Sequence, residues 1–290
     1  MPSPRELRVL VATDRSRDAK AAIATTLQFP WPAETRVRIV SARRTRAEYR
    51  RSILLSALDR GAEKATEKAR RTLSRRWSDV DVEIADKAPV EGILDAAKRF
   101  KADVIVVGWR GHGAVRRLLM GSVSRGVVRG STCAVLVVRR SQHVRTIVVG
   151  VDNSDTAKRA LAFVGRLVPP SGGRVTLVSA VELLTAPSRG RVPGAASIAQ
   201  EVRRQNTIRA RAATKALNRA ATGLKRTGWQ TRTMVVHGEP LRDLVRAVAT
   251  NRAHLLVVGA RGTSGVRYLL LGSVAEGALN QSPVSVLVAR

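Results

Sequence analysis

The chain has 290 residues, which suits two domains of ordinary size better than one, and its 52 Lys and Arg against 22 Asp and Glu give a formal net charge of +30. So large a positive charge attracts anions of every kind, including nucleotides, nucleic acid and anionic membrane. One cysteine, Cys133, excludes an internal disulfide, no apolar run approaches the ~20 residues that cross a bilayer, and Met1 to Arg8 enters an apolar run without signal-peptide character, so a reducing cytoplasm is the expected compartment.

Apolar residues make up 44% of the chain but aromatic residues only 3%, so the interior must be built from Val, Leu, Ile and Ala. That mixture fits buried parallel strands covered by helices. In chain order, short β-branched runs alternate with longer amphipathic ones, the pattern of successive βα units. Strands are expected at Leu7 to Thr13, Arg36 to Ser41, Val80 to Ala85, Val104 to Gly108 and Ala134 to Val138. Helices are expected between them at Arg17 to Gln28, Ala47 to Arg76, Val90 to Phe100 and Ser122 to Gly130. After a polar linker at 139–145, strands return at Thr146 to Val151, Arg174 to Ser179, Thr231 to Val236, Leu255 to Val258 and Val284 to Val288. Right-handed crossovers would cover both faces of each sheet.

The second set of elements is a copy of the first. VIVVGWRGHGAVRRLLMGS at 104–122 is answered by LLVVGARGTSGVRYLLLGS at 255–273, an offset of 151, while VLVATDRS at 9–16 is answered by IVVGVDNS at 147–154, an offset of 138. The second copy therefore holds 13 additional residues between these landmarks, expected near the Pro- and Gly-rich stretch Pro187 to Gly194. The charge is shared evenly, with 30 basic and 15 acidic residues in 1–144 and 22 and 7 in 145–290. An evenly spread charge suits a solvated Arg-rich surface as well as an anionic partner.

Each copy carries glycines at one spacing: Gly108, Gly111, Gly121 with Ser122, and Gly259, Gly262, Gly272 with Ser273. The first glycine of each set ends a buried strand, and ligands of parallel α/β sheets bind at the carboxyl ends of strands. The last glycine and its serine open a helix, where unpaired N–H groups and the positive dipole end favour a phosphate. Asp14 and Asp152 end the first strand of each copy, where a carboxylate can accept from a ribose hydroxyl or an adenine amine, or serve only the turn into the next helix. An ordinary strand-to-helix turn explains the glycines of one copy equally well, and duplication copies structural glycines along with functional ones. No Walker A sequence occurs, and one cysteine with four scattered histidines makes no zinc signature.

A strand ending in Asp, then G-x2-G-x9-G-S, then a terminal VLVV or VLVA strand resembles the universal stress protein family in its tandem two-domain form, over nearly the whole chain. The resemblance implies an α/β fold of two tandem Rossmann-like domains of the adenine-nucleotide α-hydrolase kind, at 1–140 and 145–290. Each would be a five-stranded parallel sheet of order 3-2-1-4-5 flanked by helices. It also implies ATP, with Mg as a companion ion, between the first and fourth strands. Asp14 or Asp152 would contact ribose or adenine, and the backbone at Ala42 or Ala180 would meet the base. Gly108, Gly111, Gly121 and Ser122, or Gly259, Gly262, Gly272 and Ser273, would hold the triphosphate. A hydroxyl two residues further, Ser124 in the first copy but Ala275 in the second, would add a phosphate contact and makes the second copy the candidate for degeneracy.

Family members pair through their last strands, so the two copies would form an intramolecular pseudo-dimer, with a homodimer as a further arrangement. The implied activity is that of a stress-response nucleotide sensor acting through conformation or partner binding, with no catalytic residue assigned. Two rivals stand beside it: a nucleotide-free basic surface that docks nucleic acid or anionic lipid, and a weak ATPase or autokinase.

Overall fold

The computed structural model describes residues 6–42, 53–111, 120–185, 195–262 and 271–290, with only the backbone described at 53–62 and 195. The first half contains β1 (Leu7–Ala12), α1 (Arg17–Gln28), β2 (Thr35–Ala42), α2 (Ile53–Leu73), β3 (Val80–Ala85), α3 (Pro89–Phe100), β4 (Val104–Gly108), α4 (Ser122–Gly130) and β5 (Ala134–Val138). The second contains β6 (Thr146–Gly150), α5 (Asp155–Gly165), β7 (Arg174–Val181), α6 (Ala195–Lys225), β8 (Gln230–His237), α7 (Pro240–Thr250), β9 (Leu255–Gly259), α8 (Ser273–Gln281) and β10 (Ser285–Ala289). The expected strands of both halves are present with ends shifted by a residue or so, where hydrogen bonding and apolar patterning part company. The start expected for the second helix at Ala47 and the loop at 187–194 lie outside the described residues.

All ten described strands join one sheet in the order β3-β2-β1-β4-β5-β10-β9-β6-β7-β8. Within each half neighbours are parallel, giving the expected 3-2-1-4-5 arrangement twice. At the centre β5 and β10 run antiparallel, pairing Leu136 with Leu287. The expected pairing of terminal strands within one chain is thus observed, and it removes two open sheet edges. Because strand side chains alternate between faces, each half contributes to two cores. One contains Val9, Val11, Leu136, Ile147 and Leu287, the other Leu10, Ile105, Val135, Val148 and Val286. Both cores run unbroken through the junction.

Where the two halves meet, each lends the other an arginine. Arg139, just after β5, donates to the carbonyls of Leu279 (3.0 Å) and Asn280 (2.8 Å) at the end of α8. Arg290, just after β10, donates to Val128 and to Arg129 (3.1 Å) at the end of α4. Helix ends carry orphan carbonyls and partial negative charge, which a guanidinium satisfies together. The linker is also held, with Val144 in the core and the Gln142 amide donating to the His254 carbonyl.

Register locates the extra residues. Val37 of β2 corresponds to Val175 of β7, an offset of 138, while their partners Val80 and Thr231 differ by 151. The insertion therefore falls between β7 and β8, the span that holds the 31-residue helix α6 in place of the 21-residue α2.

Candidate functional site

In each half the chain reverses from β1 to β2 on one side and from β4 to β5 on the other, so the carboxyl ends of β1 and β4 (or β6 and β9) flank a crevice. Asp14 and Asp152 stand at that point, both exposed. The next residues, Arg15 (φ 70°) and Asn153 (φ 63°), take the left-handed conformation. That turn sets one oxygen of Asp14 on the amide of Ser16 (3.0 Å) and one of Asp152 on the amide of Ser154 (3.1 Å). The other oxygen faces the second loop: a methyl built on Gly111 would lie 2.5 Å from Asp14 Oδ2, and one built on Gly262 would lie 2.9 Å from Asp152 Oδ2. Glycine is needed there because the carboxylate already fills the place of a side chain.

The helix cap is supplied by the serine, not the aspartate. Ser16 Oγ accepts from the Ala19 amide (3.0 Å) and donates to the Arg110 carbonyl (3.3 Å). Ser154 Oγ likewise accepts from Ala157 (3.1 Å) and lies 3.3 Å from the Arg261 carbonyl, which also takes the Thr156 hydroxyl. The two loops are thus tied together on both sides of the pseudo-symmetry.

The glycines divide by role. Gly108 lets β4 approach α1, since a methyl there would sit 2.6 Å from the Asp18 carbonyl carbon. Gly259 does the same against Thr156 and Ala157, at 2.4 Å and 2.9 Å. Their smallness serves packing of strand on helix. Gly121 and Gly272 close the turn, donating their N–H to Trp109 (2.9 Å) and Ala260 (2.8 Å) carbonyls, and each is the N-cap of its helix. A glycine cap has no side chain to bond the first-turn amides. No described group accepts from the amides of Ser122, Val123 and Ser124, or of Ser273, Val274 and Ala275, so each helix opens with three directed donors. The exposed serines Ser122 and Ser273 stand at the lip.

Ser124 is placed differently from its expected role. It is 4% exposed and donates to the Gly108 carbonyl at 2.6 Å. A hydroxyl has one proton, and here that proton fastens the helix to the strand end. Its absence at Ala275 therefore changes an anchor before it changes a ligand contact. Ala42 and Ala180, half-buried, stand at the ends of β2 and β7, opposite Ala85 and Val236. The structure thus gathers Asp14, Gly111 and Gly121 around one crevice mouth and Asp152, Gly262 and Gly272 around another. The nine residues between the second and third glycines lie, apart from Met120 and Leu271, outside the described residues, His112 included.

Two features beside the crevices escaped the sequence reading. Trp109, 8% exposed, donates from Nε1 to the Leu279 carbonyl of the other half (3.2 Å), and the guanidinium carbons of Arg110 (4.0 Å) and Arg139 (3.9 Å) both lie over its ring. The repeat alignment held a signal, since Ala260 stands where Trp109 does. Asp243 of α7, 7% exposed, has Oδ2 without a hydrogen-bond partner and takes the place of Gly92 in the first half. Nothing in its sequence neighbourhood marked it. No group of three or more metal-ligating side chains occurs among the described residues, and no described helix is long and apolar enough to cross a membrane.

Comparison with known proteins bears on this geometry. The sequence pattern of the universal stress protein family matches residues 7–139 and again 143–290. Two universal stress proteins of Mycobacterium tuberculosis are each 30% identical, over 227 and 224 residues, covering 73% of this chain and 69% and 68% of theirs. Among solved structures, a universal stress protein from Archaeoglobus fulgidus superposes with a TM-score of 0.67 at 18% identity, covering 98% of both chains. A protein from Pseudomonas aeruginosa described as a universal stress protein superposes at 0.59 with 14% identity, over 99% of this chain and 94% of its own. These superpositions speak to the fold.

Proposed function

Because the chain belongs to the universal stress protein family, we propose that it binds an adenine nucleotide, ATP with its magnesium, and acts as a stress-response regulator through conformation or partner binding. The observation that carries this reading is the convergence, made twice, of a carboxylate and an open helix start across a glycine that leaves room for no side chain. The residues fit the ligand. The first-turn amides of α4 and α8, with the hydroxyls of Ser122 and Ser273, would receive the phosphates. The outward oxygen of Asp14 or Asp152 would accept from the ribose, and the strand end at Ala42 or Ala180 would meet the base.

One dipole contact is worth about 0.3–1 kcal/mol when exposed. Micromolar affinity, roughly −8 kcal/mol, therefore requires amides, hydroxyl and carboxylate to act together. Within this reading the protein works in a reducing cytoplasm, where Cys133 stays a thiol; burial pushes its ionisation up and keeps it unreactive.

Isothermal titration calorimetry of the full chain with Mg-ATP tests the proposal. The expected result is saturable binding in the micromolar range that loses one site in Gly111→Val or Gly262→Val, whose side chains would collide with the carboxylate. Absence of heat up to millimolar nucleotide would contradict it.

A further inference from the structure

Away from both crevices, an open groove of about 960 Å³ runs beside α6 in the second half. Its lining takes in Arg211, Lys215, Asn218 and Arg219 of the helix, Leu183 beyond β7, and His237, the last residue of β8. The segment beyond β7 is held to the helix by Asn206, which accepts from the Leu184 amide (2.9 Å) and donates to the Leu184 carbonyl (3.0 Å).

The hydroxyls of Thr207, Thr214 and Thr222 turn back to carbonyls four residues earlier, at 2.9–3.0 Å, and offer the groove no proton. Its described side-chain donors are thus the three cations, the Asn218 amide and the His237 imidazole. Arg211, Lys215 and Arg219 pair with no described carboxylate. The single acid of α6, Glu201, is taken by Arg204 (2.9 Å) and Gln205 (2.7 Å).

The first half shows that such a flank need not be left uncompensated. On α2, Glu67 pairs with Arg70 (2.9 Å) and Arg71 (2.8 Å). The edge strand β3 carries Asp81 and Glu83, which hold Arg38 at 2.9 and 3.6 Å, and Glu83 also pairs with Arg99. At the matching positions of β8 stand Arg232 and Met234, so the acids have gone where the helix has lengthened.

We infer that this groove is a binding site for a single strand of nucleic acid, held through its phosphates. Arg211, Lys215 and Arg219 recur every fourth residue, so their helix positions advance by about 6 Å each. A row of charges at that interval suits a chain of phosphates. Among the described residues no Phe, Tyr or Trp lines the groove and His237 is its one aromatic ring, so stacking is minor and binding is sequence-independent and salt-sensitive. The groove is open to solvent, and its cations follow one line along the helix, as a strand's phosphates do, instead of spreading over a plane as a bilayer's headgroups do. The mid-helix amides are bonded within α6, so a small nucleotide has no amide cradle here and belongs to the crevices. The inference stands independently of the nucleotide reading.

Fluorescence anisotropy of a labelled oligothymidylate of about 15 nucleotides, measured with the full chain from about 50 to 200 mM salt, tests it. The triple variant Arg211→Ala, Lys215→Ala, Arg219→Ala is expected to bind roughly tenfold more weakly. Its log–log salt slope should be shallower by about 2, from about 0.7 per phosphate contact on single strands. The control triple Lys64→Ala, Lys68→Ala, Arg75→Ala removes the same charge from exposed positions on and just after α2 and should weaken binding less than about threefold, and saturating Mg-ATP should not displace the strand. All these side chains are exposed, and unchanged melting curves would confirm that both variants fold. Equal loss in the two triples, displacement by ATP, absence of binding by the parent chain, or binding to phosphatidylserine vesicles but not to the oligonucleotide would each overturn the assignment.

Discussion

At the mouth of the first crevice a tryptophan carries two arginines over its ring and reaches into the opposite half, while the same place in the second half holds Ala260. The two mouths nonetheless keep the same turn, the same serine cap and the same glycine closing bond. Beyond them the halves part again: Asp18 faces Thr156, Ser124 faces Ala275, Gly92 faces Asp243, and an acidic edge strand faces a basic one. Duplication has preserved what folds the loop and left free what surrounds it. The first half is anchored more firmly to its neighbour, and the second carries the longer helix and the groove.

The largest effect should come from removing that anchor. Trp109→Ala takes away a nearly buried ring with two guanidinium contacts and a bond to Leu279, and should cost about 3–5 kcal/mol in urea unfolding. The reference is the second half, where alanine is the native residue and the surroundings are built for it. A loss under about 1 kcal/mol would mean that the two mouths are interchangeable.

A smaller effect separates the two turns. Arg15 and Asn153 share a left-handed conformation that asparagine adopts readily and arginine does not. Arg15→Asn should stabilise by about 1 kcal/mol, and Asn153→Arg should destabilise by a similar amount. Effects of the same sign in both would show that the halves do not share the turn.

The smallest difference is one of pH. Before β9, His254 Nδ1 accepts from the Thr146 amide (3.1 Å), and before β4, Asp103 Oδ2 accepts from the Arg8 amide (2.8 Å). Burial first, then Arg140, Arg145 and Arg174, hold the imidazole below its ordinary 6.5. Its unfolded form therefore takes up a proton before the folded form does. The contribution to stability is complete above pH 6.5 and declines as pH falls through the lowered folded value, at a slope of at most about 1.4 kcal/mol per pH unit. Denaturation series from pH 8 to 5 should show this decline in the parent chain and its absence in His254→Asn; identical curves would remove His254 from the account.

Much of this was legible in the sequence, for stated reasons. Buried parallel strands must be apolar on both faces, so runs such as Val104 to Gly108 announce themselves, and a repeat with one offset at each landmark fixes the topology of the second half from the first. The terminal strands at 134–138 and 284–288 were expected to pair, and they do. The site was legible as positions and less so as roles. Gly108 and Gly111 have the same spacing logic, yet one meets helix backbone and the other a carboxylate, a distinction of contacts across 90 residues or more. Ser16 as the tie between loops and Ser124 turned inward are likewise set by distant carbonyls, at Arg110 and Gly108. The groove depends on acids missing from an adjacent strand, which no local motif can report.

The central claim is that the first-turn amides of α4 and α8 receive a polyphosphate. Hydrogen exchange resolved to single amides, with and without Mg-ATP, tests it most directly. These amides lack a described acceptor and should exchange fast in the free protein. Nucleotide is expected to slow exchange at residues 122–124, at 273–275, or at both. Saturating ATP that leaves both helix starts as fast as before, while protecting amides elsewhere, would contradict the account.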